Sequence, residues 1–328
     1  MKKSQVSVLY HCPCPDGAFA ALAAYLHFSK RDVDLKFVPH FTYNAIDVES
    51  HPALTTGNPD VYLLDYCGPA DFIPRLSALP VNKVVLLDHH KTAIEMIEEY
   101  KQQNRMPSNV EVSLDYDRSG ATIAWDYFEQ QGKMVEDDAE LKRLQEMFAY
   151  IEDNDLWRKA LPNSKEFSVG LAELRLDYDF TNNPELFTQL LSLETNKLIE
   201  SGKVLVKQQQ ELIDADISRA SPVALGGQDS GFGQCLGVVT ANPNLRSELG
   251  NQLAKKSLQA GLRGIAALAY EEPAMKDAEK MYKVSLRSLS DDTTAISSKY
   301  GGGGHAKASS FLLEKTRWQE WVDAASTL

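Results

Sequence analysis

Three short apolar runs within the first ninety residues lead directly into aspartate or histidine. The runs and the residues that follow them are 84–87 with Asp88, His89 and His90, 61–64 with Asp65, and 6–10 with His11. Continuous apolar runs, as opposed to alternating ones, predict strands that are buried on both faces and therefore a parallel sheet covered by helices. We therefore expect an α/β protein in which polar side chains follow buried strands.

The side chains that follow these strands are expected to meet. In an open parallel sheet, ligands gather at the carboxyl ends of the strands. A buried carboxylate needs a cation, donors or a metal to offset its desolvation. Asp65 alone could equally be a helix N-cap, and paired histidines are often surface or core residues. Taken together, the mixture of Asp and His favours a shared site for Mn²⁺, Fe²⁺ or Zn²⁺ over Ca²⁺.

The remaining pattern predicts two domains joined by a helix. Helices are expected over 18–28, 119–131 and 139–151, with a further strand at 35–38, and the polar, Leu/Ile-periodic stretch 184–218 suits a connecting helix. Further strands are predicted at 235–240, 264–270, 281–286 and 311–313, with a helix near 246–259. We place the N-terminal domain at 1–190, the connecting helix at 191–217 and a smaller C-terminal α/β domain at 218–328.

Composition narrows the class of protein. The 328 residues include 46 acidic and 34 basic ones, for a net charge of −12, which disfavours a protein that grips long nucleic acid through many phosphates. Four cysteines make no disulfide framework, and no apolar run reaches the roughly 18 residues that span a bilayer. The first residues lead straight into a strand-like run, so no secretory signal is expected. A cytoplasmic protein without membrane contact is predicted.

The motifs together resemble those of the DHH phosphoesterase superfamily. The resemblance rests on Asp88-His89-His90, on the segment 11–17 with His11 and Asp16, and on Asp65 after its strand. It continues through the segment 150–157 and through the glycines at 301–304 followed by His305, which are similar to the signature of a DHH-associated C-terminal domain. These motifs extend over nearly the whole chain.

The resemblance implies a site for two Mn²⁺ ions, with Mg²⁺ or Co²⁺ as substitutes, in a cleft between the DHH domain and the DHH-associated domain. It implies that His11 and Asp16 bind one ion, that Asp65 bridges both and that His89 binds the other. Asp88 would bind or support the ligands, and His90 would face the substrate phosphate. Such ions would activate a water for attack on phosphorus.

The chain departs from the family pattern at two motifs. The first motif normally carries two aspartates, whereas this chain has only Asp16, with Cys14 nearby. Cys14 could lie close to a metal or could be a packing residue, and packing is favoured. In the fourth motif Asp153 and Asp155 could each be the ligand. Asp153 is preferred, with Asp155 as the alternate.

Residues of the C-terminal domain, together with Ser119 of the N-terminal domain, are expected to bind substrate. Arg287 ends a predicted strand, where a guanidinium could hold a phosphate and assist catalysis. Gly302, Gly303 and Gly304 would let the backbone approach a ligand closely, with His305 beside them, although glycine runs are also flexible loops. Ser119 begins a helix whose amides could bind an anion, and a plain N-cap is the alternative.

We therefore expect a phosphodiesterase that acts on short oligoribonucleotides or cyclic nucleotides and releases 5′-mononucleotides. A phosphomonoesterase acting on 3′-phosphoadenosine 5′-phosphate is a rival enzyme. A catalytically impaired nucleotide-binding module is a rival of another class, suggested by the incomplete first motif. The partner is a short nucleotide or dinucleotide rather than long nucleic acid. Base preference and oligomeric state, a homodimer included, stay open.

Overall fold

The computed structural model describes residues 3–41, 46–227, 231–272 and 279–326. The chain divides into two compact units, Met1–Val206 and Lys207–Leu328. Within the described ranges no helix is long and apolar enough to cross a membrane.

The first unit is built on a five-stranded sheet in which every pairing is parallel. Its strands are β1 (Ser4–Cys12), β2 (Val33–Phe41), β3 (Asp60–Leu64), β4 (Lys83–Asp88) and β5 (Val110–Leu114). They lie in the order β2-β1-β3-β4-β5. The predicted parallel α/β sheet is confirmed. The edge strand β5 was not predicted, because its sequence alternates apolar and polar residues and lacks a continuous apolar run.

Helices cover both faces of this sheet. They are α1 (Pro15–Phe28), α2 (Pro52–Thr55), α3 (Phe72–Ala78), α4 (Lys91–Gln102), α5 (Gly120–Gln130), α6 (Asp138–Asp155), α7 (Ser164–Glu173), α8 (Leu186–Leu191) and α9 (Thr195–Ser218). Every residue of α1 from Ala18 to Ala24 is buried, and most of them are alanines, which let the helix pack closely on the sheet. Pro15 occupies the first turn, where its missing N–H costs nothing.

Alternate residues of the central strands enter two different apolar cores. Tyr62 and Leu64 of β3 pack in the cluster that includes α1 and α5 residues, whereas Val61 and Leu63 pack with Phe72 of α3 on the other face. Since side chains alternate along a strand, both faces need apolar residues. This is the physical reason why the strands read as continuous apolar runs.

The second unit contains a mixed six-stranded sheet. Its strands are β6 (Ser221–Ala224), β7 (Gln234–Val239), β8 (Ile265–Tyr270), β9 (Met281–Ser288), β10 (Gly303–His305) and β11 (Ala308–Glu314), in the order β10-β11-β9-β8-β7-β6. Only the pair β7 and β8 is parallel among these described strands. The helices are α10 (Arg246–Gln259), α11 (Thr294–Lys299) and α12 (Lys315–Ser326), with a short 3₁₀ turn at Pro243–Leu245.

The long helix α9 runs through the junction between the two units. Its residues Thr195–Ser218 overlap the segment 191–217 that the sequence predicts as a connecting helix. The first unit ends at Val206, within this helix, whereas the predicted N-terminal domain ends at residue 190, before the helix begins. The predicted domain functions stay predictions.

Candidate metal centre

Polar side chains from three neighbouring strands meet at one edge of the first sheet. His11 lies near the end of β1, Asp65 directly follows β3, and Asp88 ends β4. Because these strands are adjacent and parallel, their carboxyl ends lie side by side. His11 Nδ1 is 3.3 Å from Asp65 Oδ2. The sequence arrangement therefore translates into a compact cluster.

Asp65 lies at the centre of this cluster. It is only 2% exposed, and its Oδ1 lies 3.3 Å from His89 Nε2 and 3.5 Å from His90 Nδ1. Oδ1 nevertheless forms no hydrogen bond of good geometry within the described residues. Asp65 has a φ of +55°, a left-handed conformation that Asp tolerates better than most residues. A buried carboxylate oxygen without a donor fits a cation-binding position.

Asp16 enters the cluster from the first turn of α1 and is held by the start of α5. Its two oxygens accept hydrogen bonds from the backbone N–H groups of Gly120 (2.7 Å) and Ala121 (3.0 Å). A Cβ at Gly120 would lie 2.6 Å from the Asp65 Cβ, so a side chain is excluded there. The amides of α5 therefore bind the Asp16 carboxylate.

Three overlapping groups of side chains have the composition of a metal site. They are His11, Cys14 and Asp65; Asp65, His89 and His90; and Asp16, His89 and Asp155. His89 Nε2 is 3.6 Å from Asp16 Oδ2 and 3.5 Å from Asp155 Oδ2. Imidazole and carboxylate donors suit first-row divalent ions, and the first and third groups share no residue. The cluster therefore fits divalent cations, with Asp65 and His89 belonging to two groups each.

The ionisation of the cluster shows how strongly these groups interact. Burial, together with the negative charges of Asp65 and Asp155, raises the pKa of Asp16 well above its ordinary value. Burial acts in the same direction on Asp65, but the neighbouring His11 and His89 outweigh it and lower the pKa of that carboxyl group. The two carboxyl groups thus shift in opposite directions, because like charges dominate around Asp16 and imidazoles dominate around Asp65.

Asp88 orients the two histidines of the motif. Its Oδ1 accepts hydrogen bonds from the backbone N–H groups of His89 (2.7 Å) and His90 (2.9 Å) and contacts His90 Nδ1 at 2.8 Å. The hydrogen bond to Asp88 raises the pKa of His90 to about 9. The His90 side chain is 46% exposed, so its remaining ring nitrogen is accessible. Asp88 therefore holds the backbone of the histidine pair and the His90 ring, and the functional roles predicted for Asp88 and His90 stay predictions.

Two cavities within the first unit border the cluster. One, of about 340 Å³, is lined by Asp16 and Asp155 together with apolar side chains that include Phe167 and Leu171. The other, of about 500 Å³, is lined by Asp65 and the residues His40, Tyr66, Asp88, His90 and Thr92, among others. Space for organic groups is thus present next to two different parts of the cluster.

Comparison with known proteins identifies relatives but no matching family model. The chain is 27% identical over 317 residues to an uncharacterised protein of Acanthamoeba polyphaga mimivirus, covering 94% of this chain and 67% of that protein. It is 26% identical over 262 residues to the oligoribonuclease NrnB of Bacillus subtilis (strain 168), covering 74% of this chain. The match spans 56% of the length of NrnB.

The fold is shared with a solved structure. The pGpG-specific phosphodiesterase PggH from Vibrio cholerae superposes with a TM-score of 0.51 at 13% sequence identity, covering 98% of this chain and 97% of that one. Three observations indicate the same family. They are the sequence similarity to NrnB, the fold shared with PggH, and the central position of Asp88, His89 and His90 in the cluster. These findings support the resemblance to the DHH phosphoesterase superfamily that the motifs predict. They also support the prediction of a phosphoesterase.

Acidic residues at the end of α6 lie in different environments. Asp155 Oδ2 lies 3.5 Å from His89 Nε2, within the third metal-binding group. Asp153, the preferred ligand in the sequence analysis, belongs to none of the groups found among the described residues. Its Oδ1 accepts a hydrogen bond from the Ala160 N–H at 2.8 Å. The structure thus brings the alternate residue, Asp155, to the DHH cluster.

Glu152 connects α6 to the start of α5. Its Oε2 accepts hydrogen bonds from the Ser119 N–H (3.2 Å), the Arg118 Nε–H (2.9 Å) and the Thr122 hydroxyl. Through this connection α6 helps to position the α5 amides that bind Asp16. The sequence predicted an anion-binding role for the amides at the start of α5, which include that of Gly120, but no role was predicted for Glu152. The small residue after Ser119, at a helix start, was the available signal for a close approach at Gly120.

Ser119 is the N-cap of α5, fully buried, with its Oγ accepting from the Thr122 N–H at 3.4 Å. The alternative of a plain N-cap is therefore the one that the structure shows. The neighbouring amides of Gly120 and Ala121 bind Asp16, an anion that belongs to the protein itself. The start of this helix therefore binds an anion, as predicted, but the anion is the carboxylate of Asp16 within the same chain.

Arg287 lies near the end of β9 in the second unit. Its aliphatic stem packs against Gly250 of α10, where a Cβ would lie 2.5 Å from the Arg287 Cγ. Burial, and then the positive charge of Arg246, lowers its pKa. Neither guanidinium forms an ion pair with a carboxylate in the described ranges. Two cations thus lie close together in the second unit, which is compatible with the predicted phosphate-binding role of Arg287.

The glycines at 302–304 of the second unit lie in different environments. Gly302 and Gly304 each approach the neighbouring strand β11 so closely that a Cβ would lie 2.1 Å and 2.5 Å from the carbonyl oxygens of Ser310 and Ala308. Gly303 has open space at its Cβ position. Residues Gly303–His305 form the exposed edge strand β10. Hairpin packing therefore explains two of the predicted substrate-binding glycines, and Gly303 and His305 stay open as ligand contacts.

Proposed function

We propose that this chain is a metal-dependent phosphodiesterase that hydrolyses short oligoribonucleotides to 5′-mononucleotides. The observation that carries the proposal is the buried Asp65 carboxylate, which lies between histidines and has an oxygen without a hydrogen-bond donor. The protein therefore maintains a negatively charged cluster that a divalent cation would complete.

We propose that the cluster binds two Mn²⁺ ions. His11, Asp16, Asp65, His89 and Asp155 would hold them, and the proximity of Cys14 makes its thiol a candidate donor. Divalent ions bound there would supply Lewis-acid polarisation of a phosphoryl oxygen. Mixed imidazole and carboxylate donors support Mn²⁺ over Ca²⁺.

The residues of the chain contribute binding and orientation. Asp88 holds His90 through Nδ1, which leaves the other ring nitrogen to donate to a non-bridging phosphoryl oxygen. With a pKa of about 9, His90 would carry a positive charge at neutral pH. It would therefore bind the substrate phosphate and stabilise the additional charge of the transition state. Arg287 is proposed as a second phosphate contact.

Several features support a short substrate. The net charge of −12 opposes long strands of nucleic acid. The cavities of about 340 and 500 Å³ border different parts of the cluster, so nucleoside groups on both sides of a scissile phosphate could be accommodated. The relatives NrnB and PggH are an oligoribonuclease and a pGpG-specific phosphodiesterase by name. The expected cytoplasmic location and the oligomeric state stay predictions.

The test is product release from 5′-pApA, 5′-pGpG, cyclic di-AMP, cyclic AMP, 3′-phosphoadenosine 5′-phosphate and pyrophosphate. Each would be measured with Mn²⁺, with EDTA and with the variant Asp65→Asn. We expect mononucleotides from the linear dinucleotides in Mn²⁺ and a loss of more than about 100-fold in the variant, because even residues that merely support metal ligands contribute 10- to 100-fold.

Other outcomes identify the rivals. Preferential release of phosphate from 3′-phosphoadenosine 5′-phosphate would contradict the phosphodiesterase proposal and show that the protein is a phosphomonoesterase. Binding of 5′-pApA without turnover, in protein shown by metal analysis to contain Mn²⁺, would replace it by a nucleotide-binding module. Equal turnover in EDTA would contradict the metal dependence.

A further inference from the structure

Trp157 is the most exposed large hydrophobic side chain in the described part of the chain, with 74% of its surface in solvent. The other three tryptophans of the sequence, Trp125, Trp318 and Trp321, are at most 5% exposed. Leaving an indole in water forgoes the favourable free energy of burying it. Single exposed apolar side chains are common, so exposure needs support from other observations.

The backbone around Trp157 provides that support. Trp157 has a φ of +53° and Lys159 a φ of +50°, a left-handed conformation that is rare for bulky residues and costs free energy. The turn is held in this shape by Asp153, whose backbone oxygen accepts from the Arg158 N–H (3.0 Å) and whose Oδ1 accepts from the Ala160 N–H (2.8 Å). A strained but well-fixed turn thus holds the indole in solvent.

This turn lies next to the metal-binding cluster. Trp157 is two residues after Asp155, so its Cα is within about 7.6 Å of the Asp155 Cα. The Trp157 N–H donates to the Asn154 carbonyl at 3.1 Å, which joins the turn directly to the end of α6. Asn154 and Asp155 also line the cavity of about 340 Å³. The turn that carries the indole therefore directly follows the helix end that brings Asp155 to the cluster.

A cation accompanies the indole. Lys159 Nζ lies 4.9 Å from the centroid of the Trp157 ring. No ion pair joins Lys159 to a carboxylate within the described residues. An exposed aromatic face with an adjacent positive charge is the combination that binds nucleotides, since the base stacks on the ring and the cation attracts a phosphate.

We propose that Trp157 is the stacking surface for a nucleobase of the substrate and that Lys159 contacts a phosphate of the same molecule. The proposal rests on the proposed function and adds a specific subsite to it. When the base stacks on the indole, the Lys159 ammonium moves from the ring to the phosphate. Stacking is tolerant of base identity, so the subsite would select nucleotides as a class.

The experiment uses the full chain with wild-type sequence and the variants Trp157→Asn and Trp157→Phe. Asn tolerates the left-handed backbone and removes the ring, whereas Phe retains an aromatic face. Val204→Asn, on the exposed side of α9, is the matched control because Val204 is 58% exposed and distant in sequence from the site. Melting temperatures verify that each variant is folded.

We expect Trp157→Asn to raise KM for 5′-pApA by about 10-fold with little change in kcat, as one lost base stack predicts. Trp157→Phe should retain most of the affinity, and Val204→Asn should match the wild type. A phosphorothioate analogue of 5′-pApA in Mn²⁺ should quench the long-wavelength tryptophan emission of the wild type. Trp157→Phe should lack that emission component, because its three remaining tryptophans are buried.

A wild-type enzyme that hydrolyses 5′-pApA, with an unchanged KM in Trp157→Asn and no quenching, would overturn this inference and leave the proposed function intact. If the wild type hydrolyses no nucleotide, the proposed function fails. In that case, quenching by the analogue in wild type would still support the stacking surface, and its absence would overturn it.

Discussion

The two units differ in whether their buried polar groups have hydrogen-bond partners. Ten buried side-chain nitrogen or oxygen atoms lack a hydrogen-bond partner within the described residues, and all of them lie in the first unit. They include oxygens of Asp65, Asp88 and Asp153 and ring nitrogens of His27 and His40. The described part of the second unit has none. Buried groups without partners destabilise a fold, so their concentration in one unit needs a reason.

The second unit buries mainly hydroxyl groups, and these have partners. Thr293 Oγ1 donates to the Ala306 carbonyl at 3.0 Å and lies 2.7 Å from Ser309 Oγ. Its buried carboxylate, Asp216, accepts from the Thr240 hydroxyl at 2.6 Å and pairs with Arg219. Neutral and compensated groups of this kind stabilise a sheet without any ligand.

Two of the ten atoms, on Asp65 and Asp88, lie at the candidate metal centre, where the proposed cations would interact with them. Asp65 and Asp88 leave oxygens unpaired at the edge of the sheet where the histidines gather. Divalent cations would offset this cost, whereas the second unit needs no such compensation.

The largest effect should come from Asp155→Asn. We expect Mn²⁺ affinity and activity to fall by more than about 100-fold, because the Asp155 carboxylate faces the cluster. Asp153→Asn is the matched control on the same helix. It keeps an oxygen to accept the Ala160 N–H, so activity should stay within about threefold of the wild type. Metal titration and steady-state kinetics check both, and the reverse pattern would make Asp153 the ligand.

Mn²⁺ should stabilise the cluster of the first unit directly. A concentration 100-fold above the dissociation constant contributes about 2.7 kcal/mol to any opening that releases the ion. Hydrogen exchange at the ends of β3 and β4 should therefore slow by roughly 100-fold. Exchange in β9 and β11 is the internal comparison, and it should change much less. Equal protection in both sheets would contradict a metal effect confined to the first unit.

Acid should destabilise the first unit through His27. Burial, and then the charge of Arg31, lowers the pKa of His27 to about 4, and neither ring nitrogen has a partner among the described residues. The unfolded chain, with a pKa near 6.5, binds a proton that the folded chain rejects, so stability falls as the pH drops from about 6.5 towards 4. The loss should reach about 2 kcal/mol at pH 5.

His27→Phe should remove this part of the acid sensitivity. A phenyl ring suits the site, since His27 packs 4.7 Å from Phe28 and 5.1 Å from Phe128 between ring centroids. Urea unfolding at pH 7.5 and pH 5 checks the prediction. A pH dependence identical to that of the wild type would show that His27 contributes nothing to it.

The smallest effect is expected in the second unit. Thr293→Val keeps the shape of the side chain and removes its hydrogen bonds, which should cost about 1 kcal/mol of unfolding free energy. Mn²⁺ affinity should be unchanged, because the partners of Thr293 all lie in the second unit. A marked loss of Mn²⁺ affinity, measured by titration, would contradict the separation of the two roles.

The acidic segment at the end of α6 shows what could not be read from the sequence. Glu152, Asp153 and Asp155 are close neighbours in the chain, and successive helical residues point about 100° apart. Glu152 therefore contacts α5, Asp153 holds the following turn and Asp155 faces His89. Residue type gives no indication of this division, because all three carry the same functional group.

The parallel sheet and the meeting of His11, Asp65 and Asp88 at its edge could both be predicted from the sequence. Continuous apolar runs require burial on both faces, and the carboxyl ends of parallel strands lie together. Only the tertiary structure decided that the amides of α5 bind Asp16 and that Asp155 joins the cluster. The contact between Gly120 and Asp16 joins residues 104 apart in the chain, and the contact between His89 and Asp155 joins residues 66 apart. Both contacts depend on how helices pack on the sheet, which local patterns do not encode.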